Sequence, residues 1–398
     1  MSDTMSGFPP APEHLVTQAN MLHFPQSRWA FHHVRQLLPT VEVWAGPAGA
    51  VSEFGSHPHP VRDIAFTGPD GERLSVGDWL DNTQTDGFIV LNQGAIACEY
   101  YPGLMRPHEP HLIMSDTKSV TGLLAADLIA RGELDPAAPV TDYIAELKDS
   151  AWAGATVQQT LDMTTAIAFT EVYDDPQSDI NRYAIAAGMA PRPEGYQGPL
   201  GMYDYLPTLK KNGRHGEHFT YRTVNPEVIG WIIQRLAGKG LHELLSERIW
   251  QPMGAQRDAY YVADIYGTPQ AGGGLNATLR DVARFADMVR QRGRYNGNTI
   301  IDARVFENFF IRDYPVKLPE DHYPGGRKGY SYRNFWWLTN NAHSAVQGWG
   351  IFGQIIHIDP LTGVVIVKQS SRPEANNNPY SAMANCAFAA ISTALADC

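Results

Sequence analysis

Met114-Ser115-Asp116-Thr117-Lys118-Ser119-Val120-Thr121-Gly122-Leu123-Leu124-Ala125 is the stretch on which the reading of this chain turns. After Ser115, the apolar residues Val120, Leu123, Leu124, Leu128 and Ile129 recur at three and four positions and Gly132 follows as a stop, so the spacing predicts an amphipathic helix over 115–132. Ser115 and Lys118 then share one face of its first turn. A serine hydroxyl is a poor nucleophile until a base takes its proton, and a desolvated lysine of lowered pKa can be that base. The helix N-terminus favours negative charge developing beside it. A serine and a lysine at this spacing also arise by chance, as a solvated first turn. Here the Ser-x-x-Lys occurs once in the chain.

Working outward, residues 87–91 and 95–101 are β-prone runs separated by Asn92-Gln93-Gly94, which predicts a hairpin. Downstream, Asn225 reads as the cap of a helix with Pro226 in its first turn, and a further helix spans 241–250. Thr278 and Asp281 open another, just after Gly272-Gly273-Gly274. Strands return at 355–358 and 364–369 around Asp359-Pro360-Leu361-Thr362-Gly363, and an Ala-rich helix over 382–396 closes the chain. The expected fold class is α+β: one antiparallel sheet from the N- and C-terminal segments, flanked by helices, with an inserted, mainly helical subdomain and a catalytic cleft between them. The expected division is an N-terminal arm over 1–27, a discontinuous α/β subdomain over 28–113 and 265–398, and a helical subdomain over 114–264.

A chain of 398 residues, 43% hydrophobic and 18% charged, buries one large core or two cooperating ones. Its net charge of −11 comes without a long basic run, which argues against nucleic acid and against a polybasic membrane patch. Residues 1–24 lack the apolar core of a secretory signal, and no run approaches the ~20 apolar residues of a membrane span. A cytoplasmic location is expected. Cys98, Cys386 and Cys398 are an odd set without metal-ligand spacing, so free thiols are expected. His32-His33, His57 with His59 and His215 with His218 lack the His-Glu-x-x-His spacing, and Gly272-Gly273-Gly274 lacks the lysine of a phosphate loop, so neither metal nor cofactor is expected. No Gly-x-Ser-x-Gly elbow occurs.

Residues 114–147, including Gly132-Glu133-Leu134-Asp135-Pro136-Ala137-Ala138-Pro139-Val140, resemble class C β-lactamases and related esterases, above all the 6-aminohexanoate-dimer (nylon oligomer) hydrolases. Arg28-Trp29-Ala30-Phe31, Leu37-Leu38-Pro39-Thr40, Phe219-Thr220-Tyr221, Asn225, Gly273-Gly274, Arg280-Asp281, Phe335-Trp336-Trp337 and Gly353-Gln354 look like that family in the same order. The resemblance implies the penicillin-recognising fold and a serine hydrolase that forms an acyl-enzyme on Ser115, with Lys118 and Tyr221 as base and acid. An ammonium at Lys118 would favour the phenolate of Tyr221, since a free phenol ionises near ~10.

Departures from the family pattern shape the substrate expectation. Thr223 stands where a Tyr-x-Asn amide would be; the literal Tyr332-Arg333-Asn334 comes too late in the chain, leaving Tyr332 a minor rival as base. The Lys-Thr-Gly motif is missing, Leu361-Thr362-Gly363 having no cation, and the matching segment is Gly348-Trp349-Gly350-Ile351-Phe352-Gly353. The Ile351 N–H then joins the Ser115 N–H as an oxyanion donor. Without the motif's cation, a carboxylate on the substrate loses its obvious partner, so esters and unfunctionalised amides are favoured. Tyr173 matches a second tyrosine over the cleft, and Trp337 an acyl-pocket wall, though a Trp-Trp pair on a strand is more often core. Gly272 and Thr223 complete the candidate substrate contacts. Where an acid holding a substrate amine would fall, the chain reads Asn181-Arg182-Tyr183-Ala184, with Asp179 the nearest acid. The expected partner is a small ester or amide, and a homodimer is an open possibility. The rivals are a β-lactamase or D-peptidase on the same fold, and a catalytically silent binding or sensor protein.

Overall fold

The structure, a computed structural model, describes residues 3–47, 50–320, 323, 325–376 and 378–396. The elements that position the site are, in chain order, β1 (Thr40–Val43), β2 (Gly55–Ser56), β3 (Thr85–Asn92), β4 (Ala95–Tyr100), β5 (His111–Leu112), α1 (Asp116–Ala130), α2 (Val224–Ala237), β6 (Ala259–Val262), β7 (Leu275–Ala277), α3 (Leu279–Arg290), β8 (Ser331–Arg333), β9 (Trp336–Leu338), β10 (Val346–Gly350), β11 (Gln354–Asp359), β12 (Val364–Ser370) and α4 (Asn378–Leu395).

The expected hairpin is β3–β4, and Gln93 and Gly94 at its turn take φ of 49° and 84°, the left-handed pair of a two-residue turn whose twist suits the strands. The C-terminal strands add to it: the main sheet runs β8-β9-β10-β11-β12-β3-β4-β2, antiparallel throughout except for β2 along β4. A second sheet, β1-β6-β7-β5, was not foreseen. Its strands span two to four residues, too few to show alternation, and β6 falls inside the stretch expected to be helical.

Helix α1 corrects the expectation of an amphipathic helix. Every residue from Asp116 to Leu128 is buried, on all faces. The polar positions that looked like a solvent face hold neighbouring backbone instead: Thr117 Oγ1 accepts from Leu275 N at 3.1 Å, Ser119 Oγ donates to Phe335 O at 3.0 Å, and Thr121 Oγ1 donates to Ala271 O at 2.8 Å. Asp127 accepts from Asp302 N at 2.9 Å and from Arg131 Nε at 2.7 Å. Such satisfied groups lose little on burial, whereas unsatisfied ones would cost several kcal/mol.

Helix α2 also departs in detail. Its N-cap is Thr223, and Asn225 lies inside the first turn, buried, its Oδ1 accepting from Trp152 Nε1 at 3.1 Å and Thr165 Oγ1 at 2.9 Å. Asn225 therefore ties three segments together rather than capping the helix. Helix α3 starts as expected, Thr278 Oγ1 accepting from Asp281 N at 3.2 Å. Near the N-terminus, Val16 and Met21 are buried in a second apolar cluster with Phe31, Val34, Leu112, Met114 and Phe352. Cys98 and Cys386 are free; the Cys398 expectation lies outside the described residues. Among the described residues no helix is long and apolar enough to cross a membrane.

The β8–β9 turn, with Asn334 and Phe335 at φ of 46° and 62°, docks on α1 at Gly122. A Cβ on Gly122 would lie 2.0 Å from Asn334 O, a backbone atom that cannot swing away. Gly122→Ala is expected to destabilise the fold by about 3 kcal/mol, the upper end of ordinary overpacking. Urea unfolding measures this; an unchanged midpoint would mean that the hairpin tip retreats freely.

Candidate active site

Between β5 and α1 the chain turns sharply. Met114 takes φ of 48°, a conformation costing an L-residue roughly 1–2 kcal/mol, and Ser115 follows as the N-cap residue of α1. Opposite it, β10 ends at Gly350, where a Cβ would lie 2.6 Å from Ile113 O and 3.0 Å from Met114 Cβ. Only glycine permits that approach, which brings Ile351 to the cavity that Ser115 opens on. Phe352, next to Ile351, is again left-handed, φ 62°. Each expected oxyanion donor thus neighbours a strained residue, and both Met114 and Phe352 are anchored in the N-terminal apolar cluster.

Lys118 is 1% exposed. Its Nζ lies 2.7 Å from Ser115 Oγ and donates to Gly272 O at 2.6 Å. Burial lowers its pKa to about 8, against the opposing pull of Glu171, Glu227 and Asp116. The Tyr221 hydroxyl is hydrogen-bonded to Ser115, its ring centroid 5.1 Å from Lys118 Nζ. Burial and then the charge of Glu171 push Tyr221 well above the usual phenol range, outweighing the opposing effects of Ser115 and Arg327. Both shifts run against the expected phenolate: the surroundings of Tyr221 favour its phenol form, and those of Lys118 favour a free amine at mildly alkaline pH.

Three carboxylates around Lys118 escaped the sequence reading. Glu227, buried on α2, accepts from Gly272 N at 2.8 Å, Ala271 N at 2.9 Å and Tyr183 OH at 2.6 Å. It fixes the residue whose carbonyl receives Lys118, and a Cβ on Gly272 would lie 2.8 Å from Glu227 Oε1. Glu171 accepts from Thr223 N at 2.8 Å, from Tyr173 OH at 2.9 Å and from the Thr223 hydroxyl. Asp116 is buried with Oδ1 unpartnered, and burial raises its pKa well above the ordinary value. The detectable signal was Glu227 itself, an acid within the apolar run of α2.

The cavity, about 820 Å³, is lined by Ser115, Tyr221, Ile351, Tyr173 and Trp337 among others. Trp337 stacks on Tyr221 with ring centroids 5.6 Å apart. Tyr173 reaches the cavity with its hydroxyl engaged by Glu171. Gly272 and Thr223 do not line it: Gly272 lies behind Lys118, and the Thr223 hydroxyl is held by Glu171. Nor do Tyr332, buried behind Trp337, and Asp179, which is bonded to Thr170 N at 2.8 Å and Arg182 Nη1 at 3.2 Å. Arg222, Arg327, Tyr323 and Trp349 line it and were not foreseen. Away from the cavity, His32, His33 and Glu109 converge, but the His32 nitrogens face Glu109 at 3.1 Å and Arg28 O at 3.0 Å, and His33 Nδ1 faces Trp29 O at 2.8 Å.

Comparison with known proteins identifies the family. The beta-lactamase family model matches residues 81–384. The chain is 34% identical to a 6-aminohexanoate-dimer hydrolase of Paenarthrobacter ureafaciens, over 93% of this chain and 92% of that protein. A solved structure from Bacillus anthracis, provisionally named a 6-aminohexanoate-dimer hydrolase, superposes with a TM-score of 0.89 at 31% identity, covering 98% of this chain and 99% of that one. EstCE1, described as a hydrolase with promiscuous acyltransferase activity, shares the fold at a TM-score of 0.61 and 13% identity, over 80% of this chain and 95% of that one.

Burial raises the Glu227 pKa from the ordinary 4.5 to about 7, partly offset by its hydrogen bonds and by Lys118. A raised acid favours folding below its unfolded pKa, and that contribution is lost as pH climbs through the folded one. Between about pH 4.5 and 7 the protein is therefore expected to lose stability relative to Glu227→Gln, on the order of 3 kcal/mol in total. Denaturant midpoints of the two proteins across this range test it; parallel pH curves would show that Glu227 stays ionised throughout.

Proposed function

The chain belongs to the beta-lactamase family and is a hydrolase, and from that premise we propose that it cleaves a carboxylic ester or amide through an acyl-enzyme on Ser115. The observation that carries this reading is the 2.7 Å contact of a buried amine, Lys118 Nζ, with Ser115 Oγ, which opens on a cavity; burial lowers the pKa of that amine to about 8. In the first step Ser115 Oγ bonds to the substrate carbonyl carbon while its proton passes to the neutral Lys118 amine. The carbonyl oxygen takes the negative charge and docks on the Ser115 and Ile351 N–H groups. As the intermediate collapses, Tyr221 gives its proton to the departing alkoxide or amine and regains one from the Lys118 ammonium. Water then attacks the ester on Ser115, its proton passing to the same pair, and the acid leaves with Ser115 restored.

Glu227 and Glu171 act on this sequence from outside. Their charges keep the Lys118 pKa from falling further, and Glu171 also keeps Tyr221 protonated. Aromatic walls at Trp337 and Tyr173 suit an extended acyl or amide chain. The 6-aminohexanoate dimer that names two relatives is a candidate substrate, although Asp179, the acid nearest the place of an amine-holding carboxylate, is bonded to Thr170 and Arg182. The unpaired Cys98 and Cys386 support a cytoplasmic setting.

Hydrolysis of p-nitrophenyl butyrate by the purified protein is the direct test. Ser115→Ala is expected to abolish turnover and the mass shift of an acylated Ser115, and Tyr221→Phe to lower kcat/KM by roughly 10²–10⁴-fold, the range of a general acid. Because only the neutral amine accepts the serine proton, kcat/KM is expected to rise with pH through about 8, and Glu227→Gln to move that limb to lower pH. Equal rates in wild type and Ser115→Ala would overturn the mechanism.

A further inference from the structure

Outside the catalytic cavity, the segment 28–33 and the loop before β5 bring two imidazoles and a carboxylate together. One ligand atom each from His32, His33 and Glu109 lies within 4.8 Å of the others, and none of these three residues lines the cavity. His32 is buried, whereas His33 and Glu109 are half-buried and reachable from solvent.

The hydrogen bonds around the two rings decide which nitrogens are free. Each histidine reaches back four residues, His32 Nε2 to Arg28 O at 3.0 Å and His33 Nδ1 to Trp29 O at 2.8 Å. A carbonyl only accepts, so each of those nitrogens carries its ring's N–H, which leaves a lone pair on His32 Nδ1 and on His33 Nε2. Adjacent residues of a helix point ~100° apart, but His33 has left the turn (φ −130°, ψ 24°) and offers the opposite nitrogen. The pair therefore converges without the spacing sought in the sequence. Stacking on Trp29, with ring centroids 4.0 Å apart and planes within 4°, fixes the His33 ring.

His32 Nδ1 faces Glu109 Oε2 at 3.1 Å, and that oxygen also accepts from Arg106 N at 2.7 Å. A lone pair and a carboxylate oxygen repel at this distance unless a proton or a metal cation joins them. The proton is disfavoured: burial, then His33 and His111, hold the His32 pKa down at about 4 against the pull of Glu109 and Asp86. Donors each ~2 Å from one zinc ion stand roughly 3–3.5 Å apart, the spacing of this pair. Imidazoles whose second nitrogen is held by a backbone carbonyl, with a carboxylate beside them, form a ligand set for a first-row divalent metal.

We propose that His32 Nδ1, His33 Nε2 and a carboxylate oxygen of Glu109 bind one divalent transition-metal ion, zinc in the first instance, with water completing its coordination. This replaces the expectation that the chain holds no metal. Drawing the three donors in to bonding distance falls to His33 and Glu109, the half-buried members. The role is structural: the ion ties segment 28–33 to the loop that runs through β5 into Ser115. Between the two strapped ends, Phe31 O accepts from Leu112 N at 2.8 Å, and the Phe31 ring lies 5.3 Å from that of Phe352. Phe31, Met114 and Phe352 share one apolar cluster, so the metal braces the support of both oxyanion donors without touching substrate.

Untagged full-length protein, stripped with EDTA and moved to chelator-free buffer, is titrated with zinc chloride by calorimetry. One zinc per chain is expected, with a Kd of ~1 μM or tighter. His33→Ala and Glu109→Gln, both at half-buried positions, are each expected to weaken binding at least tenfold, while replacing His57 and His59, another close pair, by alanine leaves it unchanged. Zinc is expected to raise the melting temperature of the wild type by about 3 °C or more, and that of Glu109→Gln by less than half as much. No uptake by the folded wild type at about 100 μM zinc, an affinity that neither substitution lowers, or a melting temperature that zinc leaves unchanged overturns the proposal.

Discussion

A lysine amine cut off from water is the constraint around which this molecule is arranged. An isolated buried ammonium would lose its proton or unfold the protein, whereas a fully compensated one would stay protonated at neutral pH and have no lone pair to offer a serine. Lys118 sits between these limits because α1 is enclosed on every side while three carboxylates, none of them in a direct ion pair with it, lie close enough to act on its charge. Two of these carboxylates, Glu227 and Glu171, have their own support, and these supports define the surroundings. Glu227 requires the N–H groups of Ala271 and Gly272 and the Tyr183 hydroxyl, and Glu171 requires Thr223 and Tyr173. The run of glycines, the start of α2 and the loop carrying Tyr173 are in this sense consequences of one buried amine.

The parts of this arrangement visible in the sequence are those in which one local segment carries the information. Ser115 and Lys118 are three residues apart, the β3–β4 turn announces itself by Asn92-Gln93-Gly94, and the Thr278 cap precedes its helix directly. Tyr221 was placed by its order relative to Phe219 and Asn225, through resemblance and not through spacing. What stayed hidden depends on contacts between distant segments: Glu227, Glu171 and Arg327 are single residues with no motif around them. The all-round burial of α1 was masked because Thr117, Ser119 and Thr121 are polar by type and satisfied only by backbone from β7, β9 and the glycine run. The same limit explains Thr223 and Gly272, expected as substrate contacts but turned toward Glu171 and Lys118 instead of the cavity.

The departures from the family pattern also look different once the fold is known. The segment that lacks the Lys-Thr-Gly cation and a buried arginine from a turn before β8 line one cavity, so positive charge on that wall comes from a different part of the chain. The oxyanion side follows a similar logic: the Gly350 approach and the left-handed Phe352 keep the Ile351 backbone at the cavity although the surrounding residues differ.

The enclosure of α1 carries a consequence for motion. A helix with no face toward solvent, pinned at Gly122 by the β8–β9 turn and preceded by Ile113 and Met114, against which Gly350 of β10 packs, can loosen only when the main sheet and α2 separate as well. Its amides therefore belong to the last cooperative unit to open, whereas the rim segments carrying Tyr173 and Arg222 are more exposed and open at lower cost. Ser115 rests on a floor as rigid as the whole protein, and whatever adjustment a bound molecule requires must be made by the walls.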